Sequence, residues 1–453
     1  MIEKNELDIK VELGKPVLVH APIMNEQLKK WGVYAIPRMW RAPTGELVIR
    51  FNGESDSSDI ETRNILPNLF FVSKDNGKSW IYKEDGEEKY CINHLVMGIG
   101  RPYTKLKDGK FISVYAKENC LPIENVNFLK EFPIPQGGTL VRTYHYEDIP
   151  EVSKGFSIKT YNSNGEEEKN FESKLNFKER EILVSAYTLR EDEIENDRIR
   201  LKEKECYKKI PEYIHKSVWD GAYIWGITEL FDGDLVAITC GQNPARENYC
   251  GDLYLVESKD GGKTWNKRGI IANGVEMQYG YGGDGFESTL TVAKNGDILC
   301  AMRMEQSIDP DIETPLCDTM VAISHNNGYT WDTPFSVSDS SVTPQIFTLK
   351  NGIIIVVYGR PGVHFKYSAD NGKTWSKSYS IIGKTLEEER KTGRSDADIK
   401  YFDTSSYSNV FLEEISEDTV IVCYNDMKYP DINGVKTKAC FVRTITVTDK
   451  KSL

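Results

Sequence analysis

Residues 351–375 read NGIIIVVYGRPGVHFKYSADNGKTW and hold both signals that decide the fold. The first is Asn351-Gly352, a tight turn leading straight into a β-branched run. Asn-Gly or Asp-Gly between apolar runs marks a β-hairpin, and a two-residue loop asks for positive φ at both turn residues. The same arrangement recurs at Thr44-Gly45 before ELVIRF, Asp108-Gly109 before KFISVY, Asp232-Gly233 before DLVAIT and Asn295-Gly296 before DILCAMR. Glu417-Asp418 before TVIVCY is a degenerate sixth copy. Successive copies stand about 64, 124, 63, 56 and 66 residues apart, near multiples of one period.

The second signal is Ser368–Trp375, which follows Ser-x-Asp/Asn-x-Gly-x-Ser/Thr-Trp. Ser73–Trp80 (SKDNGKSW), Ser258–Trp265 (SKDGGKTW) and Ser324–Trp331 (SHNNGYTW) repeat it, each after a strand-like run such as NLFFV or GDLYLVE. The Asp or Asn side chain is expected to accept backbone N–H bonds across the turn. Gly supplies a left-handed residue, and the Trp packs back over the hairpin.

Together the repeats predict an all-β chain: a six-bladed β-propeller of four-stranded antiparallel blades, with an insertion between blades two and three, where the doubled spacing leaves room for one extra module. Residues 1–120 hold blade one and the start of blade two. Residues 121–216 hold the insertion and the remainder of blade two, and residues 217–453 hold blades three to six. The N-terminal segment Asp8–His20 is expected to pair with the last blade, so that no edge strand is left free. Within 121–216 lie two strand-like pieces, GGTLVRTYHY and REILVSAYTL, and the charged run EDEIENDRIRLKEKE. That run fits a solvated surface; a lid or an oligomer contact is the sharper alternative.

Composition narrows the function. A net charge of −12 argues against nucleic acid or an anionic membrane as partner, and an anionic ligand would need a local arginine cluster. No run approaches 18 apolar residues, so no membrane-spanning helix is expected. The start, MIEKNELDIK, has no apolar signal-peptide core, which gives a cytoplasmic expectation, or secretion if a leader was removed. Nine cysteines stand without CxxC spacing, several (Cys240, Cys300, Cys423) inside strand runs where a thiol acts as a small hydrophobe. This points to a reducing compartment rather than a disulfide framework. The six histidines form no ligand pair, and neither a metal nor a cofactor is expected.

The Ser/Asp/Gly/Trp repeats resemble the Asp-boxes of the sialidase (neuraminidase) superfamily, and the resemblance covers nearly the whole chain. Several segments also resemble that family's catalytic segments. Gly285–Leu290 (GFESTL), with the following strand ending Ala301-Met302-Arg303, looks like the family's base Glu and a member of its arginine triad; these become Glu287 and Arg303. Ser406-Tyr407-Ser408, ahead of a strand, looks like the segment of the nucleophilic Tyr, giving Tyr407. Arg360 in VVYGRPG matches another triad position. The loop after IRF, GESDSSDIETRN, resembles the one that carries the acid/base Asp; Asp59 fits best and Asp56 second.

The chemistry explains why these types belong together. A sugar bearing a carboxylate at its anomeric carbon repels a carboxylate nucleophile, whereas a neutral Tyr avoids that repulsion. The Tyr needs a neighbouring Glu to take its proton, arginines to bind the carboxylate, and a protonated Asp for the leaving oxygen. The resemblance therefore implies a retaining exo-glycosidase acting on a glycan with a terminal acidic sugar, a sialic acid first of all.

One departure stands out. The family's first inner strand carries Arg-Ile-Pro, and here it reads Ala35-Ile36-Pro37. Arg38 and Arg101 are the alternatives for the missing arginine. Strict strand alternation puts residue 38 on the face opposite residue 35. Trp219-Asp220 and Trp225-Gly226 form either an aromatic wall for the substrate or ordinary core. Three other readings stay open: a hydrolase of the same fold on a non-sialic sugar, a non-catalytic carbohydrate-binding propeller, and a scaffold in which Glu287 and Arg303 merely pair with each other.

Overall fold

The computed structural model describes residues 8–21, 33–54, 68–83, 103–116, 121–122, 130–133, 140–143, 156–176, 186–188, 217–218, 224–242, 251–273, 287–304, 318–359, 361–393, 411–430 and 436–450. The Gly turns close antiparallel hairpins, with one correction to the sequence reading. Only the glycine is left-handed: Gly45, Gly109, Gly233, Gly296 and Gly352 have φ of 100, 87, 92, 93 and 90°, while the residue before each keeps an ordinary negative φ. Gly45 N donates to Ala42 O, and Ala42 N donates to Glu46 O, both at 2.8 Å. The loop is thus a three-residue type I turn followed by a left-handed glycine, not a two-residue turn. Asp or Asn is favoured before the glycine because its side chain caps the chain two residues on: Asp108, Asp232, Asn295 and Asn351 accept from the amides of Lys110, Asp234, Asp297 and Ile353.

The strands form five antiparallel sheets of four and a sixth of five. The first is Val33–Arg41, Leu47–Glu54, Asn68–Ser73 and Ile81–Lys83. The second is Thr104–Lys105, Phe111–Ala116, Phe156–Tyr161 and Glu167–Leu175. The third runs Trp225–Glu229, Leu235–Gln242, Gly251–Ser258 and Thr264–Ala272, joined to the second by a short parallel contact at Lys174 and Leu175. The fourth runs Ser288–Val292, Ile298–Met304, Asp318–Ser324 and Phe335–Ser338; the fifth runs Gln345–Thr348, Ile354–Gly359, Val363–Ser368 and Tyr379–Ile382. The sixth takes Phe411–Ser416, Thr419–Pro430 and Lys436–Asp449, with Ile9–Leu13 and Val17–His20 both pairing with Lys436–Asp449.

A further five-stranded sheet holds Leu121–Pro122, Lys130–Pro133, Leu140–Thr143, Ala186–Thr188 and Ser217–Val218. Its strands come from both sides of Phe156–Leu175, so the added structure does not sit in one piece between the second and third sheets. Part of it interrupts the second sheet between Phe111–Ala116 and Phe156–Tyr161. Closing a hairpin over a long excursion costs only logarithmically more than over a short one, and this permits the split.

Packing explains why the strands read as unbroken apolar runs. In Ile298–Met304, the side chains of Ile298, Cys300 and Met302 join a core with Val236, Ile238 and Leu255 of the third sheet. Leu299 and Ala301 point the other way, into a core with Ile346, Val356 and Tyr358 of the fifth. Both faces are covered, so both phases of the alternation are apolar. The second and third sheets meet through Ile112, Phe156, Ile158, Val256 and Trp265. The fifth and sixth meet through Ile355, Phe365, Val422 and Ile445, and the sixth meets the first through Val442, Ile421, Met39 and Ile49. Between the first and second, Tyr103 packs on the Trp40 and Val48 cluster and lies 5.3 Å, edge on, from Tyr161. Cys300, Cys423 and Cys440 are buried free thiols.

All four Ser/Asp/Gly/Trp turns share one geometry. Ser73, Ser258, Ser324 and Ser368 are buried, and each hydroxyl accepts from the turn glycine at 2.8 Å. Asp75, Asp260, Asn326 and Asp370 each accept from an amide four residues on, and each Trp Nε1 donates to the glycine carbonyl. Hydrogen bonds from the Ser79 hydroxyl and amide hold Asp75 down at about 2. Burial pulls Asp260 and Asp370 up, but donors from Thr264 and Thr374 with the turn serines outweigh it, and both lie below the ordinary value.

The two kinds of turn glycine should respond differently to a methyl group. Gly45→Ala, at φ 100° with nothing within 4 Å of a new Cβ, should cost about 1–2 kcal/mol for the left-handed backbone alone. Gly328→Ala, at φ 89° with Leu255 in the way, should cost about 1–3 kcal/mol more in a denaturant titration; equal losses would show that the turn does not dock on the third sheet. The carboxylates with depressed values contribute stability above about pH 4 that is lost as pH falls through their lowered values. Converting Asp75, Asp260 and Asp370 to Asn, the residue already present at Asn326, should flatten the acid limb of the stability curve. Parallel acid limbs would refute the assignment.

Candidate functional site

The Asn295-Gly296 turn fixes the register of the hairpin it closes. Val292 pairs with Ile298 and Ser288 with Met302, and the ladder extends one step further, with Arg303 N donating to Glu287 O at 2.9 Å. Glu287 and Arg303 are therefore directly opposed, and directly opposed side chains meet on one face. Arg303 Nη1 lies 3.3 Å from Glu287 Oε2, with the side chains 21% and 24% exposed. The same Oε2 accepts the amide of Thr343 at 2.6 Å. Among the described residues Glu287 Oε1 accepts no hydrogen bond, so the carboxylate is held by one oxygen and offers the other.

Thr343 belongs to Ser338–Gln345 (SDSSVTPQ), which carries the chain from the fourth sheet to the fifth. Its φ is +44°. A β-branched residue in the left-handed region is an outlier costing of order 1–3 kcal/mol, and the following proline disfavours it further. The segment is pinned on both sides: Thr319 Oγ1 donates to Ser340 O, Thr289 Oγ1 to Pro344 O, and Gly359 N to Val342 O. Ser341 and Thr343 are 3% and 0% exposed, and neither hydroxyl has a hydrogen-bond partner among the described residues. Sequence reasoning missed this turn, because nothing in SDSSVTPQ announces a left-handed threonine.

Arg38 lies in Val33–Arg41, half-buried and opposite Arg50. Ala35 pairs with Asn52 and Arg38 with Arg50, so a step of three residues on one strand faces a step of two on the other. This is a bulge at Ile36-Pro37, where proline has no amide to give to a ladder. The extra residue brings position 38 back into the pleat phase of position 35, and strict alternation does not apply. Tyr407, Asp59, Asp56, Arg360, Arg101 and Trp219 lie outside the described residues. In the sequence, Gly359, bonded to the Thr343 turn, directly precedes Arg360, and Phe411, which opens the first strand of the sixth sheet, follows Tyr407 by four positions. Among the described residues, no group of three or more His, Cys, Asp or Glu could hold a metal, and no helix is long and apolar enough to cross a membrane.

Residues 226–395 match the BNR repeat-like domain family. That segment therefore has a BNR-repeat-like fold. A Dyadobacter fermentans protein of unknown function is similar over 97% of this chain and 99% of its own, at 14% identity and a TM-score of 0.56. A Hadza microbial sialidase is similar over 93% of this chain and 66% of its own, at 13% identity and a TM-score of 0.44. An α-L-arabinanase from Penicillium chrysogenum, complexed with arabinobiose, covers 98% and 99% at 14% identity and a TM-score of 0.41. No curated protein matches.

A partly exposed ion pair adds about 0–1 kcal/mol to stability, so a scaffold role for Glu287 and Arg303 can be tested directly. Glu287→Gln and Arg303→Met should each change unfolding free energy by no more than about 1 kcal/mol. A loss of about 3 kcal/mol or more from either would make the pair a bridge that holds the fold.

Proposed function

We propose that the six sheets, five of four strands and the sixth of five, each packed on the next and the sixth on the first, close as a six-bladed β-propeller stapled by four Asp-boxes. We further propose that the protein is a retaining exo-glycosidase of sialidase type, taking a glycan with a terminal sialic acid or related acidic sugar. The observation that carries this reading is the one-sided grip on Glu287. With Oε2 engaged by Arg303 and Thr343, Oε1 is the oxygen left to take the phenolic proton of Tyr407.

In this mechanism the Tyr407 oxygen attacks the anomeric carbon as Glu287 removes its proton, and Asp59, with Asp56 as alternate, protonates the leaving oxygen. Water then opens the glycosyl-tyrosine, with the Asp acting as base. Arg303 and Arg360, with Arg38 or Arg101, bind the sugar carboxylate; a guanidinium carries five donors and can serve Glu287 and a ligand carboxylate together. The bulge that brings position 38 into phase with position 35 supports Arg38 as the replacement, and Arg50 opposite it adds positive charge on the same sheet. Trp219 is proposed as an aromatic wall. Ala35 in place of the family's arginine favours one second reading, a hydrolase of the same fold on a non-sialic terminal sugar.

Fluorophore release from a 4-methylumbelliferyl sialic acid tests the proposal. Wild type should turn over, Tyr407→Phe should lose about 10³-fold or more, and Glu287→Gln about 10²–10⁴-fold. No turnover by wild type sinks the sialidase reading, and turnover indifferent to Tyr407→Phe sinks the mechanism.

A further inference from the structure

We infer that the main-chain amide of Thr343 is a positioning device for Glu287, fixing which carboxylate oxygen faces the reacting proton. The inference rests on the reading of Glu287 as the base. Among the described residues, four non-glycine positions have positive φ: Asn76, Asn327, Asn371 and Thr343. The three asparagines sit in the Ser/Asp/Gly/Trp turns, and Asn tolerates left-handed backbone. Thr343 has neither excuse. It is β-branched, it precedes a proline, and its hydroxyl has no hydrogen-bond partner among the described residues.

The side chain therefore gives no reason for the strain, and the amide does. Thr343 N points at Glu287 Oε2 at 2.6 Å, and the direction of that N–H is set by the peptide plane that the unusual φ defines. The other polar contacts of the turn hold that plane. Val342 O takes the Gly359 amide, Ser340 O takes the Thr319 hydroxyl, and Thr289 Oγ1 donates to Pro344 O while accepting Ile346 N at 3.0 Å. Strain that persists only because its surroundings over-determine it points to a role at the site it serves.

Two contacts converge on Oε2, the ion pair with Arg303 across the hairpin and the amide of the Thr343 turn between two sheets. A carboxylate fixed through one oxygen from two directions cannot rotate freely about its last bond. Oε1 is thereby presented in one orientation, and a base held in place before the substrate arrives does not have to be ordered during the reaction. Thr343 touches no reacting atom in this scheme and acts through Glu287 alone.

Hydrogen exchange followed by mass spectrometry on the full chain tests the clamp without any substrate. In Glu287→Ala, exchange at the Thr343 amide should accelerate about tenfold or more, while amides of Gln345–Thr348 keep their wild-type rates. Unchanged exchange at Thr343, or equal acceleration through the following strand, overturns the inference. A kinetic arm uses whichever terminal glycoside wild type hydrolyses. Thr289→Val removes a pin and leaves every backbone amide, and it should lower kcat about tenfold to hundredfold with KM within about twofold. A fall in neither constant, or a rise in KM alone, also overturns it. Failure of the glycosidase reading would appear as no turnover by wild type with the exchange result intact, and failure of the clamp as normal turnover with unchanged exchange.

Discussion

The missing Cβ of four glycines governs how the sheets come together. Gly77, Gly262, Gly328 and Gly372 are each the second of two consecutive left-handed residues in the Ser/Asp/Gly/Trp turns, after Asn76, Gly261, Asn327 and Asn371, and a Cβ on them would meet Ile421, Ile158, Leu255 and Leu299. Each of these partners belongs to the sheet that precedes the turn's own, with the sixth sheet preceding the first. The turn thus does two things at once. Its serine, Asp or Asn, and Trp lock the backbone locally, and its bare Cα lets an aliphatic side chain from the neighbour seat against it. Because sheet cores are packed close to crystal density, such a contact sets the spacing of whole sheets. It gives an outer turn a share in the core.

A site that needs residues from several sheets depends on that spacing. Glu287 and Arg303 come from one hairpin, but the amide that holds Glu287 comes from the crossing between the fourth and fifth sheets. A shift between those sheets would break the second contact and leave the first. The turn containing Gly372 seats on Leu299 of the fourth sheet, and the two sheets share the core that includes Ala301 and Val356. In this way a peripheral feature of the fold bears on the geometry of a carboxylate at the opposite ends of the strands.

Much of this was legible in the sequence, for identifiable reasons. The turns are local: Gly at one position and Asp or Asn before it satisfy contacts within five residues, so their signal survives without tertiary information. The opposition of Glu287 and Arg303 follows from the same cause, since the turn at Asn295-Gly296 fixes the register of every pair behind it. What was not legible depends on distant partners. The expectation of two left-handed residues per turn failed because the loop is one residue longer than a two-residue hairpin, which the dipeptide alone does not reveal. The split of the added strands around Phe156–Leu175 depends on which strand pairs with Phe111–Ala116. The bulge at Ile36-Pro37 could have been suspected from a proline in mid-strand. The left-handed Thr343 had no sequence signal, because its conformation is imposed by Thr289, Thr319 and Gly359.

The pairing of Ile9–Leu13 with Lys436–Asp449 has a consequence for how the molecule is made. Arg443 Nε donates to Gly14 O, a bond between residues 429 positions apart. On the ribosome, Ile9–Leu13 has no partner until Lys436–Asp449 has been synthesised. Its sheet can be completed only after residue 449 has left the exit tunnel. Closing so long a loop adds little to the final free energy, since the entropic cost rises only with the logarithm of length, but it places the joining step late in folding. Until then the edge of Lys436–Asp449 is bare, and a second chain presenting the same N-terminal strand could occupy it. The ladder between Ile9–Leu13 and Lys436–Asp449 is thus also the place where two nascent copies could exchange strands.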